Sequence, residues 1–230
     1  MRRCQALSRS RARLAALATT ALITLAAGAA HADPNRNEVW IGGEARALRT
    51  QSANALTADN LGGASFGVAR ELPVSVAPDL ALWAVGGMTT GSASGTLFQT
   101  MTTELDTLDV RVGLRVRYAL HRLIAASAQL ELGGQRARVA IDDGAGAAVS
   151  DHAWGRMAEA SAALDLFAVA RPPLGIGMRA ELGYAMAQAI ELTPRGGSSG
   201  DALRLPAMEA SLGRLDLSGP TFALSLVGQF

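Results

Sequence analysis

Few side chains in this sequence could do chemistry. Beyond the first 32 residues the histidines are His121 and His152. His152 sits in Ser150-Asp151-His152-Ala153-Trp154, which sets a hydroxyl, a carboxylate and an imidazole side by side. An acyl hydrolase needs those three groups, with the acid orienting the imidazole and the imidazole taking the serine proton. Adjacency is not that geometry, and no serine follows His152 two residues on, so the simpler reading is a solvated loop histidine. The one cysteine is Cys4, so neither a disulfide nor a thiolate zinc site can be built later in the chain. Gly196-Gly197-Ser198-Ser199-Gly200 lacks the lysine of a phosphate-cradling loop and reads as a flexible connection. No catalytic residue, metal ligand or cofactor is expected.

A second chemistry is charge pairing. Glu44, Arg46, Arg111, Arg115, Arg117, Glu131, Glu159, Asp165, Arg179 and Glu181 punctuate apolar segments. Facing into a narrow lumen, they would form an internal salt-bridge network. Burial without pairing costs several kcal/mol per ion (roughly), so pairing is expected whatever else they do. A polar conduit or a ligand site is the alternative.

The elements that would position them alternate with period two, which is a strand signature. From Leu108 to Leu120, the side chains Leu108, Val110, Val112, Leu114, Val116, Tyr118 and Leu120 share one face. Asp109, Arg111, Gly113, Arg115, Arg117 and Ala119 share the other. A helix would scatter those arginines. Residues 126–133, Ala160 to Ala168 and Ile176 to Ala187 repeat the rule, and weaker strands fall at Val39 to Leu48, Leu61 to Leu72 and Asp79 to Met88. Long loops are expected at Thr50 to Asn60, Thr89 to Glu104, Asp142 to Gly155 and Thr193 to Asp201. Short links are expected at Pro73 to Pro78, around His121, and at Arg171-Pro172-Pro173-Leu174.

The first segment is of another kind. Arg2, Arg3, Arg9, Arg11 and Arg13 precede an apolar run from Leu14 to Ala30, and Ala30-His31-Ala32 is a small-x-small site. This is the pattern of a cleaved secretory signal peptide, so residues 1–32 are read as the signal and 33–230 as one domain. Removing the signal takes five of the 21 basic residues, all arginine, and changes the formal charge from +1 to −4. Such a chain offers nucleic acid no basic surface.

The C-terminus is the most specific clue. Phe222, Leu224, Leu226, Gly228 and Phe230 share a face, and Phe230 ends the sequence. This resembles the C-terminal strand of bacterial outer-membrane barrels, and by size the chain resembles the eight-stranded OmpA/OmpX-type and opacity-type barrels. The resemblance implies that Phe222, Leu224, Leu226 and Phe230 form a signal read by the barrel assembly machinery. It also implies an outer-membrane location. The expected fold is all-β: an antiparallel up-and-down transmembrane barrel, of eight strands with ten as the alternative. Strands of about 9–11 residues suit a bilayer. Trp40, Tyr118, Tyr184, Phe222 and Phe230 are the candidates for interfacial girdles. Asp201 to Leu217, with Pro206 and two hydrophobic phases, is read as loop or short helix. The expected partners are outer-membrane lipid and the assembly machinery, with the chain a monomer and its external ligand unnamed by the sequence. The expected role is structural or surface interaction without catalysis. The alternatives are a barrel binding or passing small apolar molecules, an outer-membrane lipid hydrolase, and a soluble periplasmic barrel with apolar side chains inside.

Overall fold

The computed structural model describes residues 37–57, 60–77, 79–97, 101–142, 148–171, 174–192, 195–196 and 214–230. The signal segment with Ala30 and Ala32, and most of Asp201 to Leu217, lie outside the described residues. Eight long strands follow one another: β1 (Asn37–Arg46), β2 (Leu61–Ala77), β3 (Leu80–Leu97), β4 (Met101–His121), β5 (Ile124–Asp142), β6 (Ala148–Arg171), β7 (Leu174–Ala187) and β8 (Gly219–Gln229). Each pairs antiparallel with its neighbours in sequence, and β1 pairs with β8 from Glu38 opposite Gln229 to Arg46 opposite Thr221. The ring is therefore closed, and the eight-strand expectation holds. Asn37 and Phe230 exchange both backbone hydrogen bonds at 3.0 Å, which seals the seam at the end carrying both termini.

The strands are longer than the hydrophobic alternation suggests. Thr89 to Glu104 is strand up to Leu97 and again from Met101, and Asp142 to Gly155 becomes strand at Ala148. These stretches are rich in Ser, Thr and Gly, so composition marks them as loop although their described residues are paired with the neighbouring strands. Of the Pro73 to Pro78 link, Pro73 to Ala77 is likewise drawn into β2, whose register against β3 shifts between Glu71 and Ser75 and again before Ala77. A proline needs such an irregularity because it cannot donate to the ladder. The Thr50 to Asn60 loop contains a one-and-a-half-turn helix, α1 (Gln51–Leu56), with Thr50 Oγ1 accepting from Ala53 N at 3.4 Å. Arg214–Leu215 pairs with Ile190–Glu191 as a two-residue bridge.

The exterior decides between water and lipid. Along β4 the even positions point out: Val110, Val112, Leu114, Val116 and Tyr118 are 40–65% exposed. Asp109, Arg111 and Arg115 point in, at 7% or less. The same holds for Leu130 and Leu132 on β5, Leu164 and Leu166 on β6, Ile176, Met178 and Leu182 on β7, and Phe222, Leu224 and Leu226 on β8. A soluble barrel has the reverse arrangement, so the soluble periplasmic reading is excluded. Ten residue steps from Leu108 to Tyr118, at about 3.3 Å each and tilted about 40°, give a belt ~25 Å tall, the height of a bilayer's apolar core.

Above this belt the same strands invert. On β4 Leu105 turns inward while Glu104 and Asp106 turn out. On β5 Ala137, Val139 and Ile141 turn inward while Arg136 and Arg138 turn out. The inward residues join Leu48, Ala53 and Leu56 around α1, and Ile190, Leu192, Leu215 and Leu217, in one apolar core. The barrel thus rises past the membrane as a water-facing structure with a conventional hydrophobic interior. Short turns lie at the end with the termini, and by the rule for outer-membrane barrels that end is periplasmic and the extension external.

Candidate functional site

Since one face of every strand points into the ring, the charged residues of the belt meet in the lumen. Near the periplasmic end, Arg179 sits between two carboxylates. Its Nε and Nη2 donate to Asp165 at 2.6 and 3.0 Å, and Nη2 lies 2.8 Å from Glu38. Arg115 donates to Glu38 at 2.5 Å and to Gln129 at 2.9 Å, and Gln229 donates to Glu38 at 3.0 Å. The guanidinium carbons of Arg115 and Arg179 lie 5.0 and 5.7 Å from the Trp40 ring centre. Arg117 lies 3.5 Å from Asp165 and close to the rings of Trp83 and Phe167, at 5.8 and 5.1 Å. Stacking of this kind compensates a desolvated guanidinium.

Halfway up, Arg111 is the hub. It contacts Glu159, lies 2.9 Å from Glu44 and 3.7 Å from Glu131, and donates to Thr89 at 2.6 Å. Thr89 in turn donates to Glu44 at 2.7 Å, and Thr221 donates to Glu159 at 2.8 Å. Glu181 accepts from Gln129 at 2.7 Å and from Ser161 at 2.5 Å. At the top of the polar layer Arg46 donates to Asp109 at 2.7 Å, and Gln135 donates to the other oxygen of Asp109 at 2.8 Å. All ten charged residues singled out in the sequence point into this lumen. The carboxylates missed there are Glu38 and Asp109. Asp109 shares the phase of Arg111 and was readable from it; Glu38 falls just before the stretch whose alternation is visible.

Little space is left between these groups. A small polar gap is lined by Trp40, Glu44, Ser65, Gln129, Glu131 and Glu181, with room for about one or two waters. Above it the apolar core closes the lumen. No group of three or more His, Cys, Asp or Glu suited to a metal occurs among the described residues.

Other singled-out residues fall elsewhere. Phe222, Leu224 and Leu226 point outward into the belt, and Phe230 is half-buried at the β1–β8 seam. Tyr118, Tyr184 and Phe222 are on the exterior, but Trp40 is not a girdle residue. It points inward between two arginines, because its strand position has the parity of Glu38 and Glu44. His152 is exposed on the outer side of β6, opposite Arg138 of β5. Asp151 has the other parity, so strand geometry sets its carboxylate on the opposite face of β6 from the imidazole. His121 is exposed at the β4–β5 turn.

No family model and no curated protein matches this chain. Solved structures are similar to it at the level of overall shape. Ail, the attachment invasion locus protein of Yersinia pestis, is 10% identical with a TM-score of 0.47, covering 86% of this chain and 99% of that one. The translocator domain of the autotransporter NalP from Neisseria meningitidis is 9% identical with a TM-score of 0.43, covering 96% and 97%. The outer membrane protein AlkL, solved in lipid bilayers, is 13% identical with a TM-score of 0.33, covering 86% and 92%. The closed ring, the apolar exterior and the charged interior carry the assignment by themselves. The chain is a small outer-membrane-type β-barrel.

Proposed function

We propose that this protein is a non-catalytic, non-conducting integral outer-membrane barrel that holds a folded extension above the membrane for contact at the cell surface. The inversion of faces within β4 and β5 carries this reading. A barrel needed only as a membrane plug gains nothing from strands that continue past the lipid with a second, apolar core. A passage for small apolar molecules would need an opening through that core, where Leu105, Val139, Leu192, Leu215 and Leu217 pack together with Met101 and Val149 against them.

Two measurements test it. In planar bilayers the refolded protein should give no stepwise conductance. On intact cells Ser94→Cys, at an exposed position of the extension, should react with a membrane-impermeant maleimide, while Arg122→Cys in the opposite turn should react only after permeabilisation. Cys4, the one native cysteine, belongs to the signal segment, so the introduced thiol would be the one labelled. Conductance steps, or the opposite labelling pattern, would discard the proposal.

A further inference from the structure

Where the extension meets the apolar belt, the outer surface carries a basic and aromatic cluster. On β5 and β6, Trp154 stands opposite Arg136, His152 opposite Arg138, and Arg156 opposite Gly134. Trp154 is 59% exposed, and its ring lies over Gly134: a Cβ placed there would be 3.6 Å from the indole's Cε3 and Cζ3. The absence of a side chain at Gly134 lets the indole lie along the sheet rather than stand off it. The cluster borders the apolar belt, immediately above Leu132 and Leu130, 60% and 55% exposed. It therefore sits at the depth of the lipid headgroups, where tryptophan and arginine are favoured.

We propose that this surface binds the phosphate-bearing headgroup of a lipid in the surrounding leaflet. The proposal rests on the belt being embedded in lipid and is independent of any surface role. Outward positions 134–140 of β5 and 150–158 of β6 hold three arginines and a histidine but no carboxylate. The outward carboxylates of β4, Asp106 opposite Arg138 and Glu104 opposite Ala140, flank the upper end of the cluster, whereas Arg136 faces Leu108 and Trp154 and Arg156 faces Gly134. Arg136 lies opposite Trp154 and Arg156 two residues further along the same face of β6, so the two arginines adjoin the indole. A guanidinium fork matches phosphate oxygens in a bidentate manner, and it does so best where bulk water is scarce. The net positive charge favours an anionic phosphate over a zwitterionic headgroup. Trp154 is level with Arg136, and Arg156 lies one pair nearer the belt.

The chain reports on itself, since Trp40 and Trp83 face the lumen and Trp154 alone among the three faces lipid. The refolded full chain would be placed in phosphatidylcholine bilayers containing a small fraction of lipid brominated near the headgroup, either phosphatidic acid or phosphatidylcholine. Brominated phosphatidic acid should quench Trp154 about fivefold more effectively per mole, the preference expected for an arginine near the surface. Arg136→Gln with Arg156→Gln should abolish the preference while heat-modifiable gel mobility is kept. Each single substitution should lower it, which decides the matter if the pair does not fold. Arg70→Gln, exposed at the opposite rim, should leave it intact. Excess inorganic phosphate should not displace it, because the site is built at a lipid surface. Equal quenching by the two lipids, a preference surviving the double substitution, or its loss to free phosphate would each overturn the proposal.

Discussion

The lumen network makes its sharpest prediction at Arg179. This side chain is 1% exposed and bridges Asp165 and Glu38, at 2.6 and 2.8 Å. Replacing it with Met keeps the bulk and removes the charge. Asp165 then keeps only Arg117, at 3.5 Å, and Glu38 keeps Arg115, at 2.5 Å. Removing one partner of a buried ion pair costs about 3–5 kcal/mol because the remaining charge is stranded. Both carboxylates here retain a second cation, so the low end, about 3 kcal/mol, is expected, roughly a 150-fold loss in the folding equilibrium constant. The partner experiment is Asp165→Asn, alone and combined with Arg179→Met. If the pair is held by charge, the double variant should be more stable than the sum of the single losses predicts, by about 1–3 kcal/mol. The assay is urea unfolding of the barrel refolded in lipid vesicles, followed by tryptophan fluorescence and by the heat-modifiable gel shift. Trp40 lies 5.7 Å from the Arg179 guanidinium and makes the fluorescence local. A single-variant loss under about 1 kcal/mol, or strictly additive losses, would refute the claim that paired charges hold this lumen together.

Three other outcomes follow from the same geometry. Leu130→Arg places a charge in the middle of the belt at a position 55% exposed to lipid, and should cost about 2–4 kcal/mol in vesicle unfolding, whereas Arg138→Ala on the same face above the belt should cost little. Leu105→Ala, at a position 1% exposed, should cost about 2–5 kcal/mol. That loss should appear as faster hydrogen exchange in the external ends of β4 and β5, with the belt unchanged. Gly113→Val should block folding on gels, because a Cβ there overlaps the Leu130 carbonyl and the Glu131 backbone, while Gly62→Ala, with open space around it, should fold normally.

What the sequence decides alone is the period and its phase. Leu108 to Leu120 can satisfy its pattern only as a strand with Arg111, Arg115 and Arg117 on one face, since no helix segregates side chains with period two. That suffices for a barrel with a charged side and an apolar side, and for membership of the ten charged residues on one set of faces. It does not suffice for the rest, because period two is blind to which face meets water. The closed ring settles this by turning the arginines inward. Ring closure and strand stagger also choose the partners: Arg179 meets Glu38 from a strand 141 residues earlier in the chain, a pairing that no local spacing encodes. The polar extension escapes the sequence for a different reason. Where β3 to β6 leave the lipid, hydrophobic contrast between faces falls and Ser, Thr and Gly take over, so the strand signal fades although backbone pairing continues. Trp40 differs: its parity with Glu44 and Arg46 is legible in the sequence, but its aromatic character points to a membrane interface until the barrel sets it beside the guanidinium groups of Arg115 and Arg179.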